Sequence, residues 1–295
     1  MMSQFIQSIV DALSAGATLG LAALAIGLVF GVIRLANFAQ AEIITGSAYC
    51  LIFTWSLGWY ISIPLSIAVA IAMSLLMEFA VFSRMRSANP ATLLIASFGL
   101  SFLIQRVYEL AFSNNVRTAP VASGLAQTVE VAGIRVQLLS VATIVIAGAL
   151  LFGLQMFLTR TSQGLQLKAA AADFRTARLV GIPAGRVIGL SFALSGILSA
   201  AVAFVLTVQS GAVGPTFGVQ ITILALVGAV IGGIDKISGS LAGGFLVGFA
   251  TSMLATWLPQ EMSNFKDAYV FVLVIGVLLF RPSGLLIKGR GVART

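Results

Sequence analysis

Apolar runs of about twenty residues recur along the chain, and the short segments between them hold most of its charged residues. A helix of about 20 apolar residues spans the hydrocarbon core of a bilayer. Only 9% of the 295 residues are charged and 59% are hydrophobic, whereas about 25% of the residues of a soluble domain are charged. This composition excludes a soluble enzyme, a nucleic-acid-binding domain and a disordered protein. It predicts an all-α fold, a polytopic transmembrane helical bundle with about eight or nine spans.

Charged, proline and glycine residues divide residues 1–295, which we interpret as a single transmembrane domain, into candidate spans. These spans are expected at 9–33, 43–60, 62–82, 91–112, 138–159, 187–207, 219–234, 239–258 and 268–281. Asp11, Ser14 and Gly16 interrupt the start of the first span. Residues 1–12 therefore either belong to that span or lie on the membrane surface.

The basic residues are concentrated in segments 84–86, 160–186 and 281–294. Alternating the spans places roughly 13 of the 17 basic residues on one side of the membrane, which the positive-inside rule makes the cytoplasmic side. The N-terminus and segments 113–137 and 207–218 then lie outside. Orientation in a membrane therefore accounts for most of the net charge of +8, and no nucleic-acid partner is expected.

The inner loop at residues 160–186 is rich in helix-forming residues between 166 and 180. Gly181 and Pro183 follow as the expected end of a helix. We therefore predict a short cytoplasmic helix over 166–180. Its alanines and arginines are suited both to docking of a soluble partner and to contact with anionic membrane lipid.

A polar cluster, Arg34, Asn37, Gln40 and Glu42, separates the first two apolar spans. Polar groups at membrane depth are costly unless they face protein or a water-filled cavity. The cluster is therefore either a helix break that lines a pathway or an ordinary polar turn with interfacial anchors.

Glycines recur through the spans expected at 219–234 and 239–258, and their spacing favours close helix packing over direct ligand contact. They are Gly228, Gly232, Gly233, Gly239, Gly243, Gly244 and Gly248.

Residues suited to catalysis or metal binding are scarce. The chain has no histidine and one cysteine, Cys50, and we find no P-loop, HExxH or GxSxG motif. We expect no enzymatic activity, no metal and no cofactor in this chain.

Four segments together resemble the branched-chain amino acid ABC transporter permease family, of the LivH type. They are GLAALAIGLVFGVIRLANFAQAEIITGSAY at 20–49, GLQLKAAAADFRTARLVGIPAGRVIGLSFALSG at 164–196, LVGAVIGGIDKISGSLAGGFLVGFAT at 226–251 and KDAYVFVLVIGVLLFRPSGLL at 266–286. They occur in the family's order, and the resemblance covers about residues 16–287.

The resemblance implies a permease subunit of an ATP-driven importer for branched-chain or other hydrophobic amino acids, working by alternating access in the bacterial inner membrane. Its implied partners are a second permease subunit of the LivM type, two cytoplasmic ATPase subunits that bind the ATP, and a periplasmic substrate-binding protein.

Two sets of site residues follow from the resemblance. The substrate-pathway candidates are Arg34, Asn37, Gln40 and Glu42. The inner-loop helix would be the coupling helix that docks on the ATPase, through Ala171, Asp173, Ala177, Arg178, Leu179 and Gly181.

The chain departs from the family pattern at Gln40, where histidine is usual, and at Ala41, where glycine is usual. The substrate alternatives within the family are urea, short amides, aromatic or dicarboxylic acids, and sugars. A different class, an ATP-independent channel or secondary carrier, would require ion-coupling acids within the spans. A membrane-embedded enzyme subunit is disfavoured by the missing catalytic groups.

Overall fold

The computed structural model describes residues 2–34, 37–85, 88–131, 134–234, 236–259 and 266–280. Eleven α-helices lie within these ranges. They are α1 (Met2–Ile33), α2 (Gln40–Thr54), α3 (Trp59–Met77), α4 (Pro90–Phe112), α5 (Leu138–Arg160), α6 (Ser162–Ala172), α7 (Phe174–Leu179), α8 (Ala184–Ser210), α9 (Val219–Gly232), α10 (Ile237–Trp257) and α11 (Lys266–Phe280).

Each predicted span corresponds to a helix, which confirms the all-α bundle. Six helical segments of the described residues are long and apolar enough to cross a membrane. Three of the helices at predicted spans are shorter: α2 and α11 have 15 residues and α9 has 14. The count of full-length spans among the described residues is therefore lower than the eight or nine expected. Arg86 and the basic residues of 281–294, which contributed to the predicted orientation, lie outside the described residues.

The boundary between the second and third spans also differs from the prediction. Helix α2 ends at Thr54, six residues before the expected end of its span, and a short 3-10 turn at Trp55–Leu57 follows. Gly58 then adopts φ 100°, a conformation that glycine accepts without steric cost and that reverses the chain into α3. After Met77, α3 continues as a π-helical turn at Glu78–Phe82.

Glycines bring α1, α9 and α10 into backbone contact. A methyl group added at Gly228 would lie 2.6 Å from the Gly244 Cα atom, and one at Gly243 would overlap the Gly228 carbonyl oxygen. On the other face of α10, a methyl group at Gly244 would lie 2.7 Å from the Leu19 carbonyl oxygen of α1. Close packing, as expected for small residues between membrane helices, is therefore the observed role of these glycines.

The inner loop forms two helices, so the prediction of a single helix over 166–180 is wrong. Helix α6 ends at Ala172 and α7 begins at Phe174. Asp173 adopts an extended conformation between them, φ −151° and ψ 100°, and its carboxylate caps α7. An aspartate that bonds to the amides after it competes with helix continuation, which explains the break.

Two short antiparallel strand pairs lie at the opposite end of the bundle. Strand β1 (Arg117–Thr118) pairs with β4 (Ala212–Val213), and β2 (Thr128–Val131) pairs with β3 (Ile134–Gln137). The first pair joins the segments before α5 and before α9, both of which the sequence places outside.

Candidate functional site

The helical path of the chain is interrupted between Ile33, the end of α1, and Gln40, the start of α2. Arg34 has φ 54°, a left-handed conformation that is uncommon for a residue with a side chain. The Asn37 Oδ1 atom accepts a 3.0 Å hydrogen bond from the Ala39 amide, which turns the chain into α2. The buried Asn37 Nδ2 atom has no partner among the described residues. The segment is therefore a helix break, one of the two alternatives that the sequence left open, and it leaves one buried donor available.

Gln40 joins the start of α2 to the middle of α8. Its Oε1 atom accepts a 3.1 Å hydrogen bond from Ser195 Oγ, and its Nε2 atom donates to Ser199 Oγ. The side chain is 1% exposed. Because Ser195 and Ser199 lie near the centre of α8, helix α2 begins deep in the bundle and not at its inner surface.

Glu42 joins the same end of α2 to α4. Its Oε1 atom accepts 2.8 Å hydrogen bonds from Ser101 Oγ and Gln105 Nε2. Tyr108 donates a 2.8 Å hydrogen bond to the Glu42 carbonyl oxygen. The Glu42 Oε2 atom is buried and has no hydrogen-bond partner within the part of the chain that the structure describes. Within the described residues, only one of the two Glu42 carboxylate oxygens, Oε1, therefore accepts hydrogen bonds.

The contact between α2 and α9 is equally close. The Gly218 amide, immediately before α9, donates a 3.0 Å hydrogen bond to Thr45 Oγ1. A methyl group added at Gly218 would overlap the Ala41 carbonyl oxygen and lie 3.1 Å from Ile44 Cβ. Two short helices therefore start side by side in the interior, an arrangement that discontinuous membrane helices adopt around pathways.

A cavity of about 700 Å³ at the inner end of the bundle brings Arg34 together with the inner loop. Asp173 and Arg178 line it from α7 and its cap, and Glu78 lines it from the π-helical turn. Ala171 lies near the end of α1, because a methyl group added at Gly31 would be 3.6 Å from Ala171 Cβ. Arg34 therefore shares one cavity with two of the coupling candidates, Asp173 and Arg178, whereas Gln40 and Glu42 do not line it.

Helix α7, which carries the coupling candidates Ala177, Arg178 and Leu179, is capped by Asp173. Asp173 Oδ1 accepts hydrogen bonds of 3.0 and 3.1 Å from the Arg175 and Thr176 amides, and Oδ2 accepts a 2.6 Å bond from Thr176 Oγ1. The Thr176 hydroxyl and amide hydrogen bonds hold the pKa of the Asp173 carboxyl below its usual value.

The other end of α7 is exposed. Gly181 closes the segment at φ 87°, as expected of a helix end. Ala177 is buried against the bundle, while the Leu179 side chain is 87% exposed and Val180 is 73% exposed.

The Asp173 cap gives a local prediction. Asp173→Ala should accelerate hydrogen exchange of the Arg175 and Thr176 amides several-fold, because both lose their acceptor, while Asp173→Asn should keep most of the protection. Because the pKa of the Asp173 carboxyl is lowered in the folded protein, the carboxylate is ionised and the cap is complete at neutral pH. The cap weakens only below about pH 4, where the carboxylate becomes protonated. Unchanged exchange in Asp173→Ala would show that the cap is not formed in solution.

The match to a known family covers the whole bundle. The branched-chain amino acid transport system permease component family matches residues 8–280. The chain belongs to this family. It is accordingly a multi-pass membrane protein, and a permease component in its family's terms.

Individual relatives of this permease match along almost its full length. The high-affinity branched-chain amino acid transport system permease protein BraD of Pseudomonas aeruginosa is 29% identical, over 96% of this chain and 95% of its own length. The corresponding protein LivH of Escherichia coli is 26% identical over the same shares. The structure of PsaBC from Streptococcus pneumoniae in complex with Fab shares the fold, with a TM-score of 0.52 at 15% identity over 98% of this chain and 97% of that chain.

Several residues of the permease site escaped the sequence analysis. The partners of Gln40 and Glu42 are Ser195, Ser199, Ser101 and Gln105. Each helix carries its two polar residues four positions apart within an apolar run, which places them on one face. That spacing is the signal by which they could have been found.

Proposed function

We propose that this permease is the membrane subunit of an ATP-driven importer for branched-chain amino acids, located in the bacterial inner membrane. It passes substrate from a periplasmic binding protein to the cytoplasm and performs no covalent chemistry. ATP is bound and hydrolysed by two cytoplasmic partner subunits, and a second, LivM-like permease completes the membrane part. The names of the full-length relatives support this choice of substrate over the other small molecules considered from the sequence.

One observation carries the proposal: an apolar surface is exposed at the end of a capped helix on the inner side. Leu179 and Val180 are 87% and 73% exposed, outside any predicted span. Two adjacent exposed apolar side chains beside a capped helix are suited to being covered by a partner subunit. The basic residues of the same loop give that surface the charge expected on the cytoplasmic side.

The contacts around α6 and α7 could transmit a displacement of the inner loop to the break between α1 and α2. A partner that displaces α7 also moves Ala171, which lies against the end of α1, and reshapes the cavity that Arg34 shares with Asp173 and Arg178. Arg34 leads directly into the break before Gln40. In alternating access, two states of the pathway are exchanged by energy supplied at a distant site, and this loop is where that energy would enter.

The direct test is leucine uptake by proteoliposomes that contain the permease pair, both ATPase subunits and the binding protein. Uptake is expected with ATP and is expected to fall to background with a non-hydrolysable ATP analogue. Uptake at an equal rate without hydrolysis would indicate a channel or secondary carrier. The absence of leucine uptake, with another small solute transported under ATP, would reassign the substrate.

A further inference from the structure

A second cavity, of about 450 Å³, lies at the opposite end of the bundle from the inner loop. Helices α1, α5, α8, α9 and α10 line it. Gln137 and Gln209 are exposed residues of the lining, and we take their side as its mouth. Its volume lies within the range of about 300–1,000 Å³ that is usual for small-molecule sites. The cavity is separate from the break between α1 and α2.

Asp11 is the one charged side chain among the described residues that line this cavity. It belongs to α1, two helical turns inside the apolar segment that begins at Gln4. A carboxylate at that position is costly unless it faces water or a partner charge, and such residues commonly mark substrate pathways. The Ser140 hydroxyl donates a 3.0 Å hydrogen bond to Asp11 Oδ1, which fixes the carboxylate toward the cavity wall.

Three threonine hydroxyls of the lining already donate their protons within the protein. Thr18, Thr251 and Thr256 each donate to a backbone carbonyl one turn earlier in the same helix, at 2.7 to 3.0 Å. A hydroxyl has one proton and two lone pairs, so these groups can only accept from a molecule in the cavity. Together with Asp11 they form a surface of acceptors, which suits a ligand rich in donors.

We propose that this cavity binds the zwitterion of an aliphatic amino acid, with its ammonium group at Asp11 and the threonine hydroxyls. The ammonium supplies three donors and the charge that compensates Asp11. The amide groups of Gln137 and Gln209 can donate to the carboxylate at the mouth. Leu139, Val205 and Ile221 provide an apolar wall for the aliphatic side chain. This inference rests on the proposed function for its choice of leucine as the probe.

A cysteine-protection experiment on the assembled complex tests the site. Cys50 is the single native cysteine, so Cys50→Ser gives a background in which Ser252→Cys, in the cavity lining, reports access to a small uncharged methanethiosulfonate. If the dissociation constant is about 1 mM, leucine at about 10 mM should slow labelling about tenfold. 4-Methylpentanoate, which lacks the ammonium group, should not slow it.

Variants separate a binding role from a structural one. Asp11→Asn and Thr18→Val should each reduce the protection by leucine, while Ser123→Cys on the outer surface should label equally with and without leucine. If Asp11→Asn prevents assembly, Thr18→Val carries the test. Absence of protection by leucine, or equal protection by NaCl or by 4-methylpentanoate, would overturn the inference.

The experiment is also independent of transport, because labelling is measured without ATP. Leucine uptake by the wild-type complex without leucine protection would reject this cavity and leave the proposed function standing. Protection without ATP-driven uptake would reject the proposed function alone.

Discussion

Replacing Leu179 with aspartate is expected to abolish ATP-driven leucine uptake while leaving the permease folded. The side chain is 87% exposed, so the bundle loses almost no packing. In a docked complex the same position is desolvated, where a leucine contributes about 1.5–3 kcal/mol and a carboxylate is penalised. The affinity for the ATPase subunits should fall about 100-fold or more. Co-purification of the ATPase and uptake in proteoliposomes measure the two effects.

Gln163→Asp is the matched control for that experiment. Gln163 is exposed on α6 in the same loop, near the start of the helix, where an added carboxylate is favourable. It introduces the same charge on the same side of the membrane, and uptake should remain close to that of the wild type. Equal uptake by Leu179→Asp and Gln163→Asp would remove α7 from the coupling surface.

Gly243→Ala is expected to have the largest effect on folding. A single methyl group at this position would overlap the Gly228 carbonyl oxygen of α9 and would meet the Gly232 backbone as well. Backbone atoms cannot rotate away as a side chain can, so the helices must separate. We expect a cost of about 3 kcal/mol or more, seen as loss of monodisperse protein on size-exclusion chromatography and a lower unfolding temperature.

Gly153→Ala provides the control for this substitution. Gly153 also lies inside a membrane helix, α5, but a methyl group added there has no neighbouring atom within 4 Å among the described residues. Since alanine has the higher helix propensity, its stability should stay equal or rise by up to about 1 kcal/mol. Similar losses for both variants would mean that helix propensity, and not contact with α9, determines the outcome.

Helix positions were predictable from sequence, but helix lengths and breaks were not. Each apolar run produced a helix because burial of apolar residues in lipid depends on composition alone. The early end of α2 depends on the positive φ at Gly58, and the division of the inner loop depends on the hydrogen bonds of Asp173. Such local competition is decided by a few hydrogen bonds and does not alter the hydropathy of the segment.

The candidate site, too, could be predicted from the sequence only in part. The sequence located both the polar break at 34–42 and the inner loop, and the family resemblance identified their residues. It did not indicate that Arg34 and Asp173 line one cavity, because that requires the end of α1 to lie beside the loop after α5. Nor did it pair Gln40 with α8 and Glu42 with α4, because those contacts join residues far apart in the chain.

The glycine contacts among α1, α9 and α10 also restrict how the protein can move. Helices that touch through backbone atoms have a single separation, since neither compression nor widening keeps the contact. These three helices are therefore expected to move together as one rigid body. Relative motion within the subunit is left to helices joined by side chains, such as α4, whose hydrogen bonds from Ser101 and Gln105 to Glu42 can re-form after a displacement.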